Sequence, residues 1–289
     1  MARKAAKTGP GPTVMVALEQ EFPEKTRIIN DDLALKILPA GTRAGIWIKL
    51  RLMPVVKMLR WSEEKMPGMW SGFMCRKRYI DEQLSDITQD RAGAVVNLGA
   101  GFDTRAYRLN SLAEIPVWEV DQPDIIAAKQ KRLLKLFGKI PEHVTLVPVD
   151  FENESLDEIL AAYDFPANMS TFFIWEAVTQ YLPETSVRDT FDFLAKAKTG
   201  SRLIFTYVRK DFIDGKNLYG HNYMYNQMVA RGVWLFGLEP ENLSDLLEPC
   251  GWKVLEHLGY DELAERYVKP TGRELLSTPL ERIVYAEKS

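Results

Sequence analysis

An apolar run, Val95-Val96-Asn97-Leu98, ends in Gly99-Ala100-Gly101, and a second run, Val117-Trp118-Glu119-Val120, ends in Asp121. Two glycines at a strand end let the backbone approach a ligand, and a carboxylate about 20 positions on can hold the hydroxyls of a ribose. Few folds present both features; a parallel α/β sheet that binds a nucleoside outside the carboxyl ends of its strands is one. A lone Gly-x-Gly is also a plain tight turn. Thr104 stands where a dinucleotide fingerprint has its third glycine, which disfavours a nicotinamide cofactor. A nucleoside sulfonium with no pyrophosphate to cradle, S-adenosylmethionine, fits better.

The rest of the chain alternates in the same sense. Short β-rich runs fall at 94–98, 117–120, 144–149, 171–175, 202–208, 252–257 and 283–286, with helical patterns such as 125–137 and 186–198 between them. That alternation predicts βαβ units and a mostly parallel, seven-stranded sheet with a late hairpin-like pair. From Val14 to Gln89 the pattern is helical, broken at Pro39-Ala40-Gly41, Pro54 and Pro67-Gly68. The expected organisation is a flexible tail over 1–12, a helical lid over 13–92 and a core over 93–289. An aromatic-rich stretch at about 209–240 is expected as an inserted lid, because connections of that length usually carry function.

With 46% apolar residues the 289-residue chain can bury a substantial core, and a net charge of −3 argues against general nucleic-acid binding. Yet residues 33–62 hold six basic side chains (Lys36, Arg43, Lys49, Arg51, Lys57, Arg60) and no acid. This stretch reads as a solvated face, an attractor of anionic or amphipathic substrates, or a contact with an acidic membrane. Pro54 interrupts the helix there, so membrane association is not expected. The greasiest region, 46–61, carries four of these cations and cannot span a bilayer. The apolar stretch near the start is too short for a signal sequence, which leaves a cytoplasmic reading. Cys75 and Cys250 lie far apart without a Cys-x-x-Cys pair, so neither a metal site nor a disulfide is expected.

Acids end three successive strands: Asp121, Asp150 and Glu176. One such acid is more often a helix cap; three in register point to a ligand. Asp121 suits a ribose diol, Asp150 an adenine amino group with Phe151 against the ring, and Glu176 an ammonium. A cation for a cofactor carboxylate is offered by Arg76, Lys77 and Arg78. On the acceptor side, Gln180 and Tyr181 follow the fourth strand and are placed by topology to line a pocket. Tyr219, Tyr223 and Tyr225 either wall that pocket or form the small core of a subdomain. His143 and His257 read as structural, whereas His221 is either a base facing the acceptor or a plain loop histidine. A carboxylate acceptor, with a pKa of about 4, needs no base, and a phenol or alcohol does.

The run from Val95 to Leu109, together with Asp121-Gln122-Pro123, the block Trp175-Glu176-Ala177-Val178-Thr179-Gln180-Tyr181-Leu182, Arg27 to Asp32 and the stretch from Leu238-Glu239-Pro240 to Gly251-Trp252, resembles the leucine carboxyl methyltransferase family. It is most similar to the bacterial branch linked to polyketide and other secondary metabolism. The resemblance implies a class I, Rossmann-like α/β methyltransferase fold and S-adenosylmethionine as cofactor. It also implies cofactor contacts at Arg76, Gly99, Ala100, Gly101, Asp121, Gln122, Asp150, Phe151 and Glu176. Arg76 matches the arginine of an Arg-Thr-x-x-x-Asp element, with Lys77 in place of threonine. The expected activity is in-line methyl transfer to a carboxylate or phenolic oxygen of a small, apolar metabolite, with Tyr181 and His221 as catalytic candidates. A protein C-terminal carboxyl methyltransferase and a non-catalytic cofactor-binding module are the alternatives.

Overall fold

Seven strands form one sheet in the order β3-β2-β1-β4-β5-β7-β6. The computed structural model describes residues 11–86, 92–151 and 153–289. The strands are β1 (Ala94–Leu98), β2 (Val117–Asp121), β3 (Val144–Pro148), β4 (Thr171–Trp175), β5 (Arg202–Val208), β6 (Trp252–Leu258) and β7 (Glu281–Lys288). β1 to β5 pair in parallel, and β7 lies antiparallel between β5 and β6. The central strands β1 and β4 are buried along their whole length, as continuous apolar runs in a covered parallel sheet must be. Chain order reverses between β1 and β4, so the crevice outside their carboxyl ends is where an open α/β sheet binds its ligand.

Four longer helices precede the sheet: α1 (Gly11–Glu19), α2 (Ala40–Leu52), α3 (Val55–Lys65) and α4 (Met69–Ser85). Their breaks fall where the sequence places them, with Pro39, Pro54 and Gly68 at the N-caps of α2, α3 and α4. The expected tail extends to residue 12, whereas α1 already begins at Gly11, with Pro12 in its first turn, where a missing N–H is harmless. The remainder of that tail, 1–10, and the end of the helical stretch, 87–91, lie outside the described residues. The later helices are α5 (Pro123–Phe137), α6 (Leu156–Ala162), α7 (Glu184–Ala195) and α8 (Tyr260–Tyr267). α5 opens on Pro123 and closes on Gly138 at φ +76, whose N–H donates to Leu134 O.

Side chains alternate across the sheet. Val95, Phe172, Ile204 and Ile283 face a core shared with α1, α4 and α8. Val96, Phe173, Phe205 and Val284 face the opposite core, built with α6 and α7. The helical block before the sheet therefore shares one layer of the molecule with α8. Residues 209–240 form short helical turns, and Phe212 and Trp234 pack with Met69, Val208 and Leu280 in a separate apolar cluster. Among the described residues no helix is long and apolar enough to cross a membrane.

An ion pair is buried between α5 and β2. Lys129 of α5 reaches Glu119 of β2 at 2.8 Å with side-chain exposures of 0% and 1%, and the Tyr107 hydroxyl donates to the same carboxylate at 2.6 Å. Removing one partner of such a pair leaves a buried charge uncompensated. Lys129→Met is expected to cost about 3–5 kcal/mol in urea unfolding, and Lys129→Met with Glu119→Gln much less. Equal losses in the single and double variants would contradict this account of the pair.

Candidate functional site

The turn after β1 is shaped by backbone geometry that side chains resist. Gly99 sits at φ +72, and a Cβ there would lie 2.2 Å from Val178 Cγ2. Gly101 also has positive φ, at +47, and its N–H donates to Asp121 Oδ2 at 2.6 Å. The Gln122 N–H donates to Asp121 Oδ1 at 2.6 Å. An ionised carboxylate has about four acceptor positions, so each Asp121 oxygen keeps acceptor capacity beyond its bond to a backbone N–H. Burial pushes the Asp121 carboxyl above its ordinary 3.8, and the two backbone N–H groups work against that rise.

Beside the turn is a run of buried charges. Arg76 of α4 donates through Nε to Glu176 Oε1 at 2.8 Å and through Nη1 to Glu281 Oε2 at 2.8 Å. Arg105 donates to Glu176 Oε2 at 2.8 Å and to Asp81 Oδ1 at 2.7 Å, and also pairs with Asp103. Lys77 approaches Glu176 at 3.4 Å. Burial opposes ionisation of Glu176, but Lys77, Arg105 and Arg76 outweigh it and hold the carboxyl well below the usual range. Ala177 follows at φ +57, a left-handed conformation rare for alanine, with its N–H held by Thr206 Oγ1 at 2.9 Å.

These groups face one cavity. Its walls include Arg76, Gly99, Ala100, Gly101, Asp121, Gln122, Phe151, Glu176 and Tyr181, all singled out in the sequence. Asp150 is not on the wall; its carboxylate accepts from Asn153 Nδ2 at 2.8 Å. Gln180 is buried, and its carbonyl accepts the Leu235 N–H at 2.7 Å. Tyr219 and Tyr225 are part of the apolar cluster of 209–240, Tyr223 is exposed, and none of the three lines the cavity. His221 is fully buried, 2.6 Å from Thr278 Oγ1, and also off the wall. Burial lowers its pKa.

The arrangement fits S-adenosylmethionine. Arg76 Nη2 is buried without a hydrogen-bond partner among the described residues, and Arg76 borders the cavity. A guanidinium whose buried nitrogen lacks an acceptor, on a side chain that borders a cavity, suits an anionic ligand group such as the carboxylate of a methionine moiety. Asp121 has acceptor capacity for a ribose, and Phe151 with Ile125 offers apolar surface for a base. Sequence reasoning misses Pro12 and Thr13 of α1, which line the same cavity, because Pro12 falls in the expected tail and Thr13 at the first position of the expected helical lid, with no local signal of a ligand. It also misses Arg105, Asp81 and Glu281, whose partnerships with Glu176, Arg105 and Arg76 appear only in three dimensions.

The family described as leucine carboxyl methyltransferase matches the chain over residues 11–195. A Mycobacterium avium (strain 104) protein, provisionally named an S-adenosyl-L-methionine-dependent methyltransferase, is 29% identical over 251 residues, 83% of this chain and 81% of its own length. A protein of the same provisional name from Mycolicibacterium gilvum (strain PYR-GCK) is 34% identical over 236 residues, 78% of this chain and 74% of its own length. A DUF574 family protein from Streptomyces avermitilis superposes with a TM-score of 0.58 at 12% identity, covering 82% of this chain and 91% of that one. This last likeness is one of fold.

Gly99→Ala forces a β-carbon into Val178 and costs about 1–2 kcal/mol for the left-handed conformation alone. Calorimetric titration with S-adenosylhomocysteine is expected to show affinity reduced about tenfold or more, and undiminished affinity would contradict the close approach at this turn. The raised Asp121 pKa adds a pH signature. Ribose donors favour the ionised form, so affinity is expected to be full above that pKa and to fall as pH drops through it, beginning above 3.8. In Asp121→Asn that dependence should disappear; a profile identical to the parent would assign the titration elsewhere.

Proposed function

The chain belongs to the leucine carboxyl methyltransferase family and is an S-adenosylmethionine-dependent methyltransferase; from that premise we propose that it methylates an oxygen of a small, largely apolar acceptor, foremost a carboxylate. The observation that carries this reading is the cavity wall next to Glu176, built from Ala177, Val178 and Tyr181: it holds no histidine, and the carboxylates on the wall are engaged, Glu176 by Arg76 and Arg105, Asp103 by Arg105 and Asp121 by two backbone N–H groups. A hydroxyl acceptor requires a base within hydrogen-bond reach. His221, the histidine nearest in sequence to that role, is buried against Thr278. A carboxylate, ionised at neutral pH with a pKa of about 4, requires none.

Bound S-adenosylmethionine supplies a methyl group on a positively charged sulfur. Arg76 Nη2 takes the cofactor carboxylate, Asp121 the ribose hydroxyls, and Phe151 covers the base. Glu176 faces the ammonium, with Lys77, 3.4 Å away, its most loosely held partner. Tyr181 packs edge-on against Trp234 at 6.3 Å between ring centres, which ties the cavity wall to the 209–240 segment. Its hydroxyl orients the acceptor oxygen by donating a hydrogen bond. Rate then comes from alignment, for which effective molarities reach about 10⁵–10⁸ M. The helical block and the 209–240 segment act as covers that exclude water, and the motif likeness favours a secondary-metabolite acceptor.

The test is to incubate the protein with methyl-labelled S-adenosylmethionine and a small-molecule extract of its source, then treat the product with mild alkali. Label released as methanol is the expected result and means a methyl ester. Label that resists alkali means an ether or amine and overturns the carboxylate reading.

A further inference from the structure

A second cavity, of about 610 Å³, lies within the helical block, on the other side of α1 from the cofactor cavity. Helix α1 divides the two spaces: Pro12 and Thr13 line the cofactor cavity, whereas Val14, Met15 and Leu18 line the second. Gly45 and Lys49 of α2 and Trp61 of α3 contribute to its remaining walls. We propose that this cavity binds an amphipathic organic anion, with the hydrocarbon part inside and the anionic head at Lys49. This inference does not rest on the acceptor assigned above.

Volume and lining suit such a ligand, because small-molecule pockets span about 300–1,000 Å³ and are mostly apolar with a few polar groups. The space is kept open by sequence. A Cβ at Gly45 would meet nothing within 4 Å, so a larger residue, and a better helix former, fits there without strain. Four methionines, Met15, Met53, Met58 and Met66, line the cavity, and their unbranched side chains adapt to varied hydrocarbon shapes.

Charge identifies the head group. Lys49 has no ion-pair partner among the described residues, and the surrounding stretch 33–62 contributes six cations and no acid. Trp61, on the cavity wall, is 56% exposed, apolar surface that a bound hydrocarbon would shield. The chemistry shared by a free long-chain carboxylate and a lipid headgroup would satisfy Lys49 equally; a cavity of about 610 Å³ set between helices favours the free molecule.

The probe is dodecanoate, titrated calorimetrically into the full-length protein below its aggregation concentration, with dodecanol as the uncharged control. Saturable one-site binding of dodecanoate is expected. Gly45→Leu, which fills the cavity, should weaken it about tenfold or more while leaving S-adenosylhomocysteine affinity and thermal midpoint undiminished. Lys49→Glu should weaken dodecanoate about fivefold and leave dodecanol unchanged. Absent binding, binding indifferent to Gly45→Leu, or a charge effect equal for acid and alcohol overturns the proposal. So does sedimentation with anionic phospholipid vesicles in the absence of dodecanoate binding, which would assign the basic face to a bilayer.

Discussion

The carboxyl edge of the sheet depends on one buried run of charges, from Glu281 through Arg76, Glu176 and Arg105 to Asp81, in which each contact measures 2.7 to 2.8 Å. Arg76 and Asp81 come from α4, Glu176 from the end of β4, Arg105 from the turn after β1 and Glu281 from β7. Removing one member of a buried pair costs about 3–5 kcal/mol because its partner is stranded. The run therefore fixes the helical block against the strand ends with little freedom to slide. It leaves one guanidinium nitrogen, Arg76 Nη2, buried without a hydrogen-bond partner among the described residues, on a side chain that borders the cavity.

Packing behind the run keeps Arg76 where it is. Gly72, one turn before Arg76, lies so close to the Tyr260 ring that a Cβ would be 2.2 Å from it. Tyr260 in turn donates to Glu281 at 2.7 Å, and Glu281 accepts from Arg76. On the opposite rim Gly99 and Ala177 both have positive φ, a conformation glycine adopts freely and alanine rarely, and a Cβ at Gly99 would lie 2.2 Å from Val178 Cγ2. Rarely populated backbone conformations persist where surrounding structure over-determines them, often at ligand sites.

Much of this was readable from the chain. The first five strands are parallel and, apart from the edge strand β3, almost wholly buried; they appear as short apolar runs, and their observed bounds differ from the expected ones by at most a residue. β7 is longer than its apolar centre because Glu281 and Lys288 extend it, one paired with Arg76 and the other bonded to Cys250 O; polar strand ends carry no period-two signal. Asp121, Glu176 and the two glycines converge because strand-end position follows from topology, and Arg76 of α4 joins them through its ion pairs to Glu176 and Glu281. Asp150 does not join them: its register is correct, but its carboxylate is engaged by Asn153 within its own turn. Arg105 and Asp81, 24 residues apart, and Arg76 and Glu281, 205 apart, carry no local signature of pairing. The aromatic residues of 209–240 show why composition alone leaves pocket and subdomain core undecided, since the same rings serve either.

The account makes Arg76 the anchor of the cofactor, and a crystal structure with S-adenosylhomocysteine tests that most directly. The predicted result places the cofactor carboxylate within hydrogen-bond distance of Arg76 Nη2 and the ribose hydroxyls on Asp121, with the ion pairs to Glu176 and Glu281 intact. A cofactor whose carboxylate is held elsewhere, with Arg76 Nη2 still unpaired, would contradict it.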